Sequence, residues 1–143
     1  MVMEMDGRKL EVFIITPDAT ASEKYKFHGQ ADMVVLRCLT GDMGILPGRE
    51  ACSAILDEGA LRILTEDGER KVAVLGGVFH FEKDVLTLLT QKAMLPGEID
   101  IVVTEAQVNE YEARMGVETD ISEKGRLRKE LRRLKILLDV AAR

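Results

Sequence analysis

Residues 41–48 read Gly-Asp-Met-Gly-Ile-Leu-Pro-Gly, and they lie between two apolar segments of strand character. Residues 33–39 and 51–56, on either side, are rich in aliphatic and β-branched side chains, which is typical of buried strands. Because glycine tolerates positive φ and proline fixes φ, residues 41–48 predict a shaped loop between two strands of one core. A phosphate-binding loop would need Lys-Ser or Lys-Thr after the last glycine, whereas Arg49 and Glu50 follow here.

The rest of residues 8–92 continues the pattern of short apolar segments separated by turn signals. Asp67-Gly68 and Lys83-Asp84 each lie between two such segments and predict tight hairpin turns. Gly29 and Gly76-Gly77 are expected to interrupt the neighbouring strands. At least seven strands follow from this pattern, which predicts an all-β sandwich or barrel over about residues 8–92.

The pattern changes to helical spacing after Pro96-Gly97, and Gly116 is expected to separate two helices. The apolar faces are predicted to comprise Ile99, Val102, Val103, Ala106 and Ala113 in the first helix and Leu127, Leu131, Leu134, Leu138 and Ala141 in the second. The chain is therefore predicted to consist of a β-sandwich domain, residues 1–95, and a C-terminal antiparallel α-helical hairpin, residues 96–143.

Charge is unevenly distributed along the 143 residues, whose formal net charge is −5. Residues 121–143 contain eight basic and three acidic side chains, so they carry +5 and residues 1–120 carry −10. The acidic body argues against nucleic-acid binding, and the basic tail is expected to dock on an acidic partner or on the body itself. No apolar segment reaches the roughly 18 residues of a membrane span, so we expect no direct membrane insertion.

Candidate catalytic and metal-ligating residues are few. His28 and His80 lie in strand-like segments, where a satisfied or surface histidine is favoured over a catalytic base or a zinc ligand. Asp57-Glu58 stands beside a glycine, and solvated turn residues are the ordinary interpretation there. Cys38 and Cys52 are expected to be reduced core residues. The sequence therefore predicts binding surfaces rather than an enzyme active site, with no metal.

Five motifs follow one another along nearly the whole chain. They comprise Thr-Pro at 16–17, Gly-Asp-Met-Gly-Ile-Leu-Pro-Gly at 41–48, Leu-Asp-Glu-Gly-Ala-Leu-Arg-Ile at 56–63, Gly-Gly-Val-Phe at 76–79 and Glu-Ile-Asp at 98–100. In this order the chain resembles the epsilon subunit family of bacterial F-type ATP synthases. The resemblance implies a non-catalytic rotor subunit of the central stalk, which couples the catalytic head to the proton- or sodium-translocating ring during ATP synthesis.

The resemblance also implies partners and a location. A sandwich of this family binds the gamma subunit and rests on the c subunits of the rotor ring, at the cytoplasmic face of the bacterial inner (plasma) membrane, as a peripheral subunit. The acidic residue of the glycine-rich motif contacts the ring, and Asp42 matches that position, with Met43 beside it. Arg49 stands where a histidine usually follows the motif, so this chain departs from the family there.

For the hairpin, the resemblance implies regulation of ATP hydrolysis. In the extended form its basic second helix meets the beta and alpha subunits of the catalytic head and inhibits hydrolysis. The residues of this chain that match the role are Arg126, Arg128, Lys129, Arg132, Arg133 and Lys135. A merely solvated helix face is the alternative interpretation.

Some members of the family bind ATP through an Ile/Leu-Asp-x-x-Arg-Ala motif near the start of the first helix. The Ile-Asp pair is present here, but Val103 and Thr104 replace Arg and Ala, which removes the cation best suited to a phosphate. We therefore expect no cofactor, and Asp100, Arg126 and Arg133 are weak candidates for ATP binding. The alternative function is a stand-alone nucleotide-responsive binding module, in which ATP compacts the hairpin.

Overall fold

The structure is a computed structural model that describes residues 7–17 and 25–142. Within these residues the strands are β1 Leu10–Ile15, β2 Phe27–Ala31, β3 Met33–Cys38, β4 Gly41–Ile45, β5 Cys52–Thr65, β6 Gly68–Glu82, β7 Val85–Leu89 and β8 Ala93–Met94. A short 3-10 turn, Pro96–Glu98, then leads to the helices α1, Ile101–Val117, and α2, Ile121–Ala142. The predicted order of an all-β sandwich followed by a helical hairpin is confirmed.

The strands are hydrogen-bonded in the order β2-β1-β7-β6-β5-β3-β4, and β8 also pairs with β6. β5 and β6 contain 14 and 15 residues, so they are much longer than the other strands. The second half of β6 pairs with β7, whereas the second half of β5 pairs with β3. The two long strands therefore contribute to both layers of the sandwich, and the main core lies between these layers.

β6 passes from one layer to the other at Gly76 and Gly77, whose φ angles are +88° and +123°. A Cβ atom on Gly77 would lie 2.2 Å from the carbonyl oxygen of Leu89. The prediction that these glycines interrupt the strand was wrong, because the pairing of β6 with β5 keeps one register on both sides of them. Glycine provides the positive φ and the close approach that the bend requires.

Three further sequence predictions were wrong in the same direction. Gly29 lies inside β2 opposite Val12, and the chain turns at Asp32 instead. Gly41–Ile45 form β4 instead of a loop, and the pair Asp57-Glu58 lies within β5 instead of a turn. Glycine and acidic residues weaken the local strand signal, but pairing with neighbouring strands overrides it.

Hairpin turns were predicted correctly from local chemistry. Thr65 pairs with Gly68 across a two-residue turn, and Glu82 pairs with Val85 across Lys83-Asp84. Lys83 and Asp84 both adopt positive φ, 52° and 64°, as a type I′ turn requires.

The helices pack on the sandwich through a second, smaller apolar cluster. Ala73 of β6 and Val140 of α2 are fully buried there, and Ile99 is nearly buried. In α2, Leu127 and Leu131 are buried as predicted. Of the predicted apolar face of the first helix, Ile99 is buried just before α1, but the rest was wrong, since the buried residues of α1 are Thr104 and Val108 and Val102 is 76% exposed. α1 therefore leaves part of its apolar surface unburied.

Candidate interaction surfaces

An exposed apolar row crosses the layer formed by β1, β7 and the adjoining halves of β6 and β5. Ile55, Val78, Leu89 and Ile15 are successive cross-strand partners in this row. The first three are 57%, 44% and 50% exposed. Val78, Leu89 and Ile15 also line a shallow groove of about 310 Å³, together with Pro17. This apolar row and the parallel row described in the next paragraph together form a surface that we call the outer face.

The second row of the outer face contains both histidines of the chain. It comprises Ser53, His80, Thr87, Phe13 and His28, again as successive cross-strand partners. His80 Nδ1 lies 2.8 Å from Ser53 Oγ, and His28 Nε2 lies 2.8 Å from Glu11 Oε1. The His28 ring also stacks on Phe13, with 4.3 Å between centroids. Both histidines are thus surface residues with polar partners, and hydrogen bonds from His28 and Gln30 lower the pKa of Glu11.

The glycine-rich motif presents its residues on two sides of an edge strand. Asp42 is exposed, and its Oδ1 lies 3.1 Å from Nη1 of Arg37, its cross-strand partner. Met43, the next residue along β4, instead packs partly buried against the core. Arg49 is exposed after the strand, and its backbone N–H donates to the carbonyl of Leu46. Asp42 and Arg49 are therefore accessible to a partner, whereas Met43 is largely turned inward.

The six basic residues predicted on α2 separate into three groups. Arg132 and Arg133 face the sandwich, where Arg133 Nε donates to Glu58 Oε2 at 2.7 Å. Two others have partners within the hairpin, since Arg126 pairs with Glu123 and Lys135 pairs with Glu112. The remaining two, Arg128 and Lys129, are exposed. The acidic body itself thus receives part of the basic tail.

The candidate ATP residues are each engaged elsewhere. Asp100 caps α1, because its Oδ1 accepts a hydrogen bond from the N–H of Val103 at 3.1 Å. Arg126 and Arg133 form the ion pairs just described. Within residues 7–17 and 25–142, no group of three or more His, Cys, Asp or Glu side chains is arranged to hold a metal ion.

Comparison with known proteins identifies the family. The model of the ATP synthase delta/epsilon chain β-sandwich domain matches residues 9–96. The ATP synthase epsilon chain of Brevibacillus brevis is 37% identical over 108 residues, which cover 75% of this chain and 78% of that protein. The epsilon chain of Alkalihalophilus pseudofirmus is 35% identical over 106 residues, 74% of this chain and 76% of that protein. The chain belongs to the ATP synthase delta/epsilon family.

Two solved structures share the fold of this family member. A chain of the Euglena gracilis mitochondrial ATP synthase OSCP/F1/c-ring has a TM-score of 0.75 at 20% identity, covering 99% of this chain and 88% of that chain. A chain of the Tetrahymena thermophila mitochondrial ATP synthase central stalk and c-ring has a TM-score of 0.56 at 14% identity, covering 94% and 97%. With the epsilon-chain relatives, they support a non-catalytic accessory subunit of the central stalk, as the sequence predicted.

One acidic pair of this epsilon-type chain that forms ion pairs with α2 was missed by sequence reasoning. Asp57 and Glu58 were interpreted as solvated turn residues, yet they receive Arg132 and Arg133. A usable signal was present, because an acidic pair inside a long apolar strand needs cationic partners and α2 has the excess of them.

Among the described helices, none is long and apolar enough to cross a membrane.

Proposed function

We propose that this epsilon-type subunit binds the gamma subunit and the c-ring through its sandwich and regulates ATP hydrolysis through its helical hairpin. In this function it couples the catalytic head to ion flow through the ring during ATP synthesis. Its place is peripheral, at the cytoplasmic face of the bacterial inner membrane. The division into a sandwich, residues 1–95, and a regulatory hairpin, residues 96–143, belongs to the same proposal.

The observation that carries the proposal is the apolar row of the outer face. Ile55, Val78 and Leu89 are neighbours in space and all about half exposed, so together they form a contiguous apolar patch. Contiguous exposed apolar patches rimmed by polar groups mark protein–protein contacts. Here the polar rim is the second row of the outer face, which contains both histidines together with Ser53 and Thr87. A gamma subunit with an apolar surface fits this arrangement.

Introducing a charged side chain into the apolar row of the outer face tests the gamma contact. Val78→Glu and Leu89→Glu each place a carboxylate where the proposal buries an apolar side chain. We expect each to weaken binding to purified gamma subunit by at least about tenfold, measured by titration calorimetry. Val117→Glu is the matched control, because Val117 is an apolar residue 80% exposed in the helical part.

The outcomes of this titration separate the proposal from its alternatives. Equal affinity of all three variants and the unmodified chain would contradict gamma binding by the outer face. Failure of the unmodified chain to bind gamma at all would contradict the proposed function itself.

The proposed ring contact uses the exposed charges of the glycine-rich motif. Asp42 and Arg49 are accessible, and a charge at an interface fixes register more than it adds affinity. Met43, which follows Asp42 on β4, contributes by packing against the core. Because Arg37 already holds Asp42, the ring would meet a pre-oriented carboxylate.

The proposed regulatory contact uses the basic face of α2. Arg128 and Lys129 are exposed in the docked hairpin, and release of α2 from the sandwich would add Arg132 and Arg133. An acidic surface of the beta and alpha subunits is the complementary partner. A nucleotide-responsive module is not favoured, since Asp100 is used as a helix cap.

A further inference from the structure

An ion-pair cluster joins α2 to the middle of β5. The side chain of Glu58 is only 9% exposed, and Arg133 Nε donates to its Oε2 at 2.7 Å. Arg132 Nη2 lies 3.5 Å from Oε1 of Glu58 and 3.5 Å from Oδ1 of Asp57. Two arginines of the basic helix are thus held by two adjacent carboxylates of the acidic sandwich.

Glu58 needs these cations because its carboxylate is largely withdrawn from water. A carboxylate withdrawn from water is costly unless a cation and hydrogen bonds compensate it. Among the described residues, the cations that pair with Glu58 are Arg132 and Arg133, and both come from α2. The exposed pair between Lys71 and Asp139, at 3.4 Å, adds little because surface pairs are screened by water.

The apolar part of the same docking contact is the second cluster, in which Met94, Ile136, Leu137 and Ala141 are only partly buried. The sheet offers Ala60 and Ala73, which are cross-strand partners with short side chains. Val140 is the one fully buried residue that α2 contributes to this described cluster. The apolar cluster and the ion pairs therefore hold α2 together, and loss of Arg133 would leave the largely buried Glu58 carboxylate without its nearest cation.

The geometry points to an electrostatic latch, in which Glu58, supported by Asp57, holds α2 on the sandwich through Arg133 and Arg132. The inference deepens the proposed regulatory function and rests on it. The sandwich carboxylates pair with the same two arginines that would bind an acidic surface of the catalytic head. Docking on the sandwich and binding to that surface therefore compete for Arg132 and Arg133, and the strength of the latch sets the released fraction.

A distance measurement on the full isolated chain tests the latch. Spin labels are placed at Asp67→Cys, in the β5–β6 turn, and at Ser122→Cys, at the start of α2, in a chain whose two native cysteines are replaced. Pulsed electron paramagnetic resonance then gives the ratio of docked to released hairpin. We expect Glu58→Gln and Arg133→Gln each to lower this ratio about tenfold.

Controls separate the latch from general charge effects and from misfolding. Glu130→Gln removes the other partner of Arg133, which lies 3.6 Å away on α2 itself, and should leave the ratio unchanged. Because Arg133 lies on the helix, Arg133→Gln leaves the sandwich sequence intact. The swap Glu58→Arg with Arg133→Glu should restore docking relative to either single change. In about 1 M NaCl, where the Debye length is about 3 Å, the ratio of docked to released hairpin should fall more for the unmodified chain than for the Glu58→Gln variant.

The latch is overturned if Glu58→Gln and Arg133→Gln both keep the docked ratio of the unmodified chain. Equal salt dependence with and without Glu58 would overturn it as well. Neither gamma nor ATP hydrolysis enters this measurement, so failure of the latch is distinguishable from failure of the proposed function.

Discussion

Gly77 is a residue at which the sandwich depends on the absence of a side chain. Its φ is +123°, and an added Cβ would lie 2.2 Å from the carbonyl oxygen of Leu89. Neighbouring Gly76 also has positive φ, but an added Cβ there meets nothing within 4 Å. The two glycines therefore separate backbone strain from steric clash.

We predict that Gly77→Ala lowers the free energy of unfolding by roughly 2–4 kcal/mol, because strain and clash add. Gly76→Ala, the matched control, should cost only about 1 kcal/mol, since strain acts alone. Urea unfolding followed by circular dichroism measures both. Equal losses in the two variants would show that the close approach to Leu89 is unimportant.

At the scale of elements, helix α1 starts at a single side-chain cap. Asp100 Oδ1 accepts a hydrogen bond from the N–H of Val103, and its charge lies at the positive end of the helix dipole. We predict that Asp100→Ala lowers the free energy of unfolding by about 1 kcal/mol, whereas Asp100→Asn, which keeps the acceptor, lowers it much less. Urea titrations of both variants test this, and identical losses would contradict the capping role.

The start of α2 is predicted to be sensitive to acid. A hydrogen bond from Arg126, aided by the charge of Arg114, lowers the pKa of Glu123. Its stabilising contribution is therefore present above the ordinary glutamate pKa of about 4.3 and is lost as pH falls through the lower folded value.

The pH effect is measured as the difference in free energy of unfolding between pH 6 and pH 3. We predict that Glu123→Gln makes this difference smaller than in the unmodified chain. Glu105→Gln, at an exposed glutamate of α1, is the control and should keep the full difference. A difference unaffected by Glu123→Gln would refute the contribution of this pair.

Most element types followed from the sequence, but strand β4 and the lengths of the elements did not. Side-chain alternation reports burial, so β1 and the hairpin turn at Lys83-Asp84 were predictable. The continuity of β5 and β6 was not, because it depends on pairing between residues distant along the chain. Similarly, the buried face of α1 depends on which side α2 covers, and helical spacing alone does not specify that.

At the scale of the whole molecule, an acidic sandwich carries a basic helix. The sequence predicted this complementarity from the distribution of charge alone. It did not predict that Glu58 receives Arg133, since a contact between residues 75 positions apart requires the fold. It also did not predict the outer face, because Ile55, Val78 and Leu89 become neighbours only through strand order.

The arrangement of the whole molecule is consistent with the two roles proposed for this subunit. The outer face lies on the layer that contains β1 and β7, whereas α2 docks beside Ala60 and Ala73 in the other halves of β5 and β6. Release of the hairpin therefore leaves the proposed gamma contact intact. Binding and regulation should consequently be separable by substitution.

The rate of ATP hydrolysis tests the central claim most directly. The sample is a matching catalytic head, with gamma but without its own epsilon chain, to which the full chain or Arg128→Gln/Lys129→Gln is added to saturation. We predict that both bind equally, that the full chain lowers the hydrolysis rate, and that the double variant lowers it much less. An unchanged rate with the full chain bound would contradict the account.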